Sequence, residues 1–211
     1  LGMFVIIPIT LVADSLVSQT PAITNLTDGV DYELGMPFSS SANGQITAIR
    51  FWKDTLETSG THTGKIWSAA GSLLSSVIFT GESASGWQQQ SLATPLSITS
   101  GITYNVTVNT GNTYWVGTLN VLPLSSANLT SGNNGLFGSV GAFPTNTSTY
   151  NYFRDVVFVA GGGAPDTTPP VISAITSSAI TSTGATITWT TNESSTASVQ
   201  YGLIAGDGSV S

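Results

Sequence analysis

The sequence predicts an all-β protein, and three observations carry that reading. Short strand-forming runs recur between Gly, Asn and Ser clusters, at a spacing of roughly 8–15 residues. No stretch sustains a 3.6-residue apolar period, so helix should be minimal. The composition is hydroxyl-rich and nearly uncharged, with 60 Ser plus Thr, 23 Gly and only 7% charged residues.

Taken in order, residues 1–12 (LGMFVIIPITLV) are almost wholly apolar. They are too short for a bilayer-spanning helix, which needs about 20 residues. One reading is the end of a signal-peptide apolar region, with Ala13 at the cleavage site. The lack of a basic segment or initiator Met favours the other reading, an ordered extended strand. Phe4, Ile6 and Ile9 are its strand-forming anchors, and Pro8 suits an edge or inserted strand.

Residues 13–160 form the main domain. Strands are expected at 46–53, 64–67, 75–80, 87–92, 102–109, 114–119 and 152–160. Within 103–108, Tyr104, Val106 and Val108 face one way and Thr103, Asn105 and Thr107 the other. About 145 residues suffice for a core without disulfides or metals. Residues 161–170 (GGGAPDTTPP) read as a linker, flexible and then stiff. Beyond it, 171–175, 185–189 and 197–201 look like three successive strands.

Charge and rare residues exclude several functions. With 4 Lys+Arg against 11 Asp+Glu, a net charge of −7 and a pI near 4.1, the chain lacks the basic patch that nucleic-acid binding requires. Without cysteine there are no disulfides, thiolate metal sites or cysteine nucleophiles. The lone His62 argues against a His-based metal centre or a Ser-His-Asp triad.

Several segments carry a resemblance. They are Ser18-Gln19-Thr20-Pro21, Tyr32-Glu33-Leu34-Gly35, Ile49-Arg50-Phe51-Trp52-Lys53 and Gly60-Thr61-His62-Thr63-Gly64. Phe79-Thr80-Gly81-Glu82-Ser83-Ala84-Ser85-Gly86-Trp87-Gln88 and Asn151-Tyr152-Phe153-Arg154-Asp155-Val156-Val157-Phe158 complete the set. In this order, residues 14–158 resemble the domain-of-unknown-function 4082 family of modular secreted and cell-surface proteins. The resemblance implies an antiparallel jelly-roll-like β-sandwich and brings no catalytic residues; Arg154 stands where an apolar residue is expected. Residues 167–203 resemble the first half of a fibronectin type III domain. Thr168-Pro169-Pro170-Val171-Ile172 matches its opening, Ala185-Thr186-Ile187-Thr188-Trp189-Thr190 the strand bearing the core Trp, and Val199-Gln200-Tyr201-Gly202 the next strand. A whole sandwich of that kind needs roughly 90–100 residues, so a partial fibronectin/immunoglobulin-like β-sandwich is expected over 171–211.

Four kinds of site come into question. Glu33 and Asp155, with Asp31, offer hard oxygen ligands for a structural calcium where first and last strands meet. Against this, Asp155 can simply pair with Arg50 or Arg154. Glu33, Glu57, Glu82 and Asp155 also supply carboxylates for glycoside hydrolysis, but no motif singles out a pair, so no enzyme is expected. Tyr114 and Trp115, beside an Asn/Gly-rich loop, are the best sugar-stacking candidates, whereas Trp52 and Trp87 read as packing. Asn25, Asn105, Asn128, Asn146 and Asn192 each begin a glycosylation sequon, and Asn105 is expected to face outward.

The favoured function is a non-enzymatic, extracellular or cell-surface structural subunit with no resident cofactor. Strand 1–12 would add to the open C-terminal sheet of a second copy, against Ile172, Ile187, Trp189 and Val199. Such a head-to-tail contact does not close, so it propagates into a filament. The alternative is a carbohydrate-binding module of a polysaccharide-processing protein. Neither reading involves nucleic acid or a membrane span.

Overall fold

The computed structural model describes residues 13–161, 171–191, 200–201 and 209–210. They fall into two units, the first ending at residue 161 and the second beginning at 171. The anchors Phe4, Ile6, Ile9 and Val199 and the sequon Asn192 lie outside the described residues.

The first unit begins with β1 (Ala13–Asp14), β2 (Ile23–Leu26), β3 (Glu33–Ser40), β4 (Gly44–Lys53) and β5 (Thr63–Ser68). It continues through β6 (Leu73–Ile78), β7 (Gly86–Ile98), β8 (Thr103–Asn109), β9 (Trp115–Leu119) and β10 (Ser125–Ser126). β11 (Leu129–Ser131), β12 (Gly135–Gly138), β13 (Asn146–Ser148), β14 (Tyr150–Asn151) and β15 (Arg154–Ala160) complete it. The second unit has β16 (Ile172–Thr181), β17 (Gly184–Thr191), β18 (Gln200–Tyr201) and β19 (Ser209–Val210). No helix occurs among the described residues.

Two antiparallel sheets enclose the core in a sandwich-like arrangement. A four-stranded sheet runs β1-β15-β4-β7, and an eight-stranded one takes the order β10-β11-β3-β8-β5-β6, with β12 attached to β3 and β13 to β12. The first contributes Ile46, Ile49, Phe51, Leu92, Val156 and Phe158 to the interior; the second contributes Met36, Phe38, Ile66, Val106 and Val108. At about 1.5–3 kcal/mol per fully buried large apolar side chain, this layer is the main source of stability.

The inward-facing set of β4 changes phase along the strand. Gly44, Ile46 and Ala48 are buried, then Ile49 and Phe51, so two adjacent buried residues break the alternation. The ladder to β7 shifts register between Ile46 and Ala48, and the ladder to β15 between Val157 and Phe158. A bulge inserts one residue and re-aims the side chains beyond it, so both halves of β4 reach the core. β3 tolerates Pro37 because its edge partner changes there. β12 pairs with Glu33–Gly35 and β11 with Phe38–Ser40, leaving the missing N–H of Pro37 without a ladder bond to lose.

β8 corrects one expectation. Asn105 does not face solvent: it is 4% exposed, and its Nδ2 donates to the Ser68 carbonyl at 3.1 Å. Thr107 is fully buried as well. The eight-stranded sheet is covered on this second face too, where Gly141 N donates to Glu33 and Phe143 packs edge-on against Trp67 at 5.7 Å. Alternation in a strand separates two faces but does not say that one of them is wet.

In the second unit, β16 and β17 form an antiparallel hairpin and β18 pairs with β19. The hairpin displays Ile172, Ile175, Ile180 and Ile187 to solvent, with Trp189 half-buried.

Candidate functional site

The three-stranded sheet β14-β9-β2 carries a cluster of aromatic rings. Trp115 opens β9, and Tyr150 opens β14 opposite Leu119. Tyr152 lies two residues beyond Tyr150, so an extended backbone puts both rings on one side. They stack at 5.7 Å with planes 28° apart, and Trp115 stands edge-on to both, at 5.2 and 5.4 Å. Gly117 makes room for the Tyr150 ring, since a Cβ there would come within 2.7 Å of it. Tyr32 and Phe137 meet edge-on at 6.0 Å, Phe137 being set by its pairing with Leu34 on β3.

These five rings line one cleft of about 350 Å³, together with Leu34, Asp28, Thr147 and Ser148. Small-molecule sites span about 300–1,000 Å³ and pair apolar walls with a few polar groups, as here. Asp28 is exposed; its Oδ2 accepts the Tyr32 hydroxyl at 2.7 Å and its Oδ1 the Val30 N–H at 3.2 Å. A carboxylate has about four lone-pair positions, so both oxygens keep acceptor capacity. The hydrogen bond to Asp28 holds the Tyr32 phenol above its ordinary value, and burial does the same to Tyr152. Both hydroxyls therefore remain protonated donors across the neutral range. The cleft offers ring faces for C–H groups and polar atoms for hydroxyls.

Of the two residues the sequence nominated, Trp115 lies in this cleft and Tyr114 is not among its lining residues. Successive residues of an extended chain point to opposite sides. Phe137 and Tyr150 are not singled out by the sequence, and Tyr32 and Tyr152 stand in the family segments without being marked as binding residues, although the Tyr150/Tyr152 spacing is legible as one strand face.

The quoted motif segments meet elsewhere, in a buried charge network. His62 Nδ1 lies 2.9 Å from Glu82 Oε1, and its Nε2 lies 3.3 Å from Glu57 Oε1. Lys53 Nζ donates to Glu82 at 2.8 Å. Glu57 also accepts the Asp54 and Gly111 backbone N–H groups. Gln88 pins the turn that carries Glu82: its Oε1 accepts Ser83 N–H at 2.8 Å and its Nε2 donates to Ser83 Oγ at 2.7 Å. Arg50 stacks 3.8 Å above the Trp87 ring and contacts Asp155. The motifs thus hold the scaffold together, while most of the cleft is built from residues outside them.

The sequence profile described as "Domain of unknown function (DUF4082)" matches residues 18–154. The chain belongs to the DUF4082 family. No curated protein and no solved structure matches it.

Within the DUF4082 domain, Glu33 and Asp155 sit in different sheets and share no partner. Glu33 is bound by Lys65 Nζ at 2.8 Å, by the Thr107 hydroxyl at 2.5 Å and by Gly141 N–H at 3.0 Å. Asp155 accepts the Leu16, Val17 and Val156 N–H groups and lies 3.3 Å from Arg50 Nε. Burial pushes the Asp155 carboxyl up, opposed by those N–H donors and by Arg50. Among the described residues no group of three His, Cys, Asp or Glu is placed to hold a metal ion. None of Glu33, Glu57, Glu82 and Asp155 lines the aromatic cleft. Of the sequons, Asn25 and Asn146 are exposed, Asn128 is half-buried, and Asn105 is enclosed in the folded domain.

Proposed function

We propose that this DUF4082 domain is a non-catalytic carbohydrate-binding module, and that the Trp115–Tyr150–Tyr152 cleft is its site. The observation that supports this most is the coincidence of five aromatic rings with an acceptor carboxylate and two aliphatic hydroxyls around one 350 Å³ cleft. Pyranose rings present apolar C–H faces for stacking and a rim of hydroxyls that seek such acceptors and donors. In this reading the main unit is a jelly-roll-like sandwich of an extracellular or cell-surface protein, followed by a partial fibronectin type III-like unit. Affinity electrophoresis of the full chain through common polysaccharides tests it. Retardation by at least one polysaccharide is expected, reduced roughly tenfold in both Trp115→Ala and Tyr150→Ala, with each variant shown to be folded by its melting transition. Free migration through all of them, or retardation indifferent to both substitutions, defeats the assignment.

A second reading, head-to-tail assembly by strand donation, is favoured by the C-terminal hairpin. Ile172, Ile175, Ile180 and Ile187 are 57, 69, 72 and 40% exposed on a two-stranded sheet, a unit marginal by itself in water. An apolar strand from a second copy, residues 1–12, would cover them. Electron microscopy of the full chain and of a chain lacking 1–12 distinguishes the outcomes. Filaments only with the segment support donation; filaments without it, or none at high concentration, reject it.

A further inference from the structure

We infer that the aromatic cleft selects uncharged glycans over acidic ones, with Asp28 as the residue that enforces the choice. This rests on the glycan-binding reading above and specifies its ligand class. The ground for it is where the chain keeps its charges. There are only four Lys and Arg residues, at positions 50, 53, 65 and 154. All four are consumed inside the first unit. Arg50 is committed to Asp155, Lys53 to Glu82 and Lys65 to Glu33, with cation side chains only 18, 14 and 11% exposed. Arg154 is 1% exposed and donates its Nη1 to the Tyr152 carbonyl at 2.6 Å. The single histidine is likewise enclosed, between Glu57 and Glu82.

Glu33, Asp54, Glu57 and Asp155 are buried as well, but two acidic residues are placed otherwise. Asp28 and Asp31 are exposed on the approach to β3, and Asp28 lines the cleft itself. No Lys, Arg or His lines that cleft. Asp28 is therefore the one charged side chain in its lining, and its carboxylate repels an anion; the opposing charge felt at Tyr152 is that of the buried Arg154. Arg154, bound to the Tyr152 backbone, is buried behind that residue and has no face toward a bound sugar. A uronate or sulfated sugar would also find no guanidinium or ammonium to replace the water it loses on entry. A neutral pyranose meets neither penalty, and its hydroxyls can donate to the free lone pairs of Asp28.

The test is calorimetric titration of the full chain with matched pairs of oligosaccharides. Each pair shares its linkage, one member neutral and the other its C6-oxidised uronate: glucan with glucuronan, galactan with galacturonan, mannan with mannuronan. In the pair that binds, the neutral member is expected to be at least about tenfold tighter, the factor that 1.4 kcal/mol represents. Raising the salt concentration should narrow that gap, because the repulsion at an exposed carboxylate is screened. Asp28→Asn should narrow it at low salt from both sides, weakening the neutral member, whose hydroxyl loses a charged acceptor, and tightening the uronate, which loses its repulsion. A uronate bound as tightly as its neutral partner overturns the inference and leaves the glycan-binding reading standing. Selectivity that survives Asp28→Asn unchanged overturns the role given to Asp28. No binding by any member overturns the glycan-binding reading, and this inference with it.

Discussion

Arg154 occupies a position on β15 where the apolar run around it calls for an aliphatic side chain, and it is buried as deeply as one. Its Nε and Nη1 donate to the Val108 and Tyr152 carbonyls, its Nη2 has no partner, and its guanidinium lies 5.5 Å above Phe51. Burial holds its pKa below the ordinary arginine value, with Glu57 and Glu33 pulling the other way. Truncating it would strip those carbonyls and leave Glu57 and Glu33 less compensated. Arg154→Ala should therefore cost about 3–5 kcal/mol in urea unfolding, and Arg154→Met less, since it keeps most of the buried stem. Equal stability of Arg154→Ala and the native chain would contradict this. Glu82 makes a pH prediction. Burial works against its charge, but the Lys53 and His62 hydrogen bonds outweigh it, so its carboxyl sits below the ordinary 4.5. A depressed folded pKa stabilises above the unfolded value and is lost as pH falls through the folded one. The melting-temperature gap between native chain and Glu82→Gln should thus be widest near neutrality and shrink below about pH 4.5. A gap independent of pH would sink the pairing.

Single elements show what a strand pattern discloses and what it hides. The runs at 46–53, 64–67 and 102–109 are visible because β-branched and aromatic residues gather there, and β4, β5 and β8 fall on them. β3 does not stand out as a strand: Gly35 and Pro37 are residues that strands normally avoid. Gly35 is required because a Cβ there would collide with the Val106 carbonyl oxygen of β8. The buried second face of β8 is hidden because Thr and Asn read as solvent-facing unless their partners are known. Thr107→Val tests that face, since it removes the donor to Glu33 and the acceptor of the Trp67 Nε1–H at 2.9 Å. Leaving buried polar groups unpaired costs about 1–3 kcal/mol, or about 2–10 °C in melting temperature. No change would mean that this face is wet. In the loop before β5, Gly60 has φ +90° and a Cβ there would overlap the Gly111 carbonyl oxygen. Gly60→Ala should displace Gly111, weaken its bond to Glu57, and cost at least about 2 kcal/mol in urea unfolding. An alanine variant as stable as the native chain would show that the loop is not held there.

For the molecule as a whole, composition reveals more than motifs do. Four cations in 211 residues look like scarcity in the sequence. In the fold they are a commitment, because each one is drawn inward to a carboxylate or a carbonyl, while Asp28 and Asp31 stay exposed. The motif residues His62, Glu82 and Asp155 hold segments distant in the chain together, so the segments that carry the family resemblance do scaffold work in this fold. The cleft is half legible: Trp115 stands out as an aromatic beside a polar loop, but its neighbours come from β12, β14 and the approach to β3, which only the folded chain brings to it. The most direct measurement of the central claim is a crystal structure of the full chain with the neutral oligosaccharide it binds most tightly. A sugar ring lying against Trp115 and Tyr150, with a hydroxyl donating to Asp28, is the predicted result; an oligosaccharide ordered elsewhere on the chain, with these rings uncontacted, would contradict it.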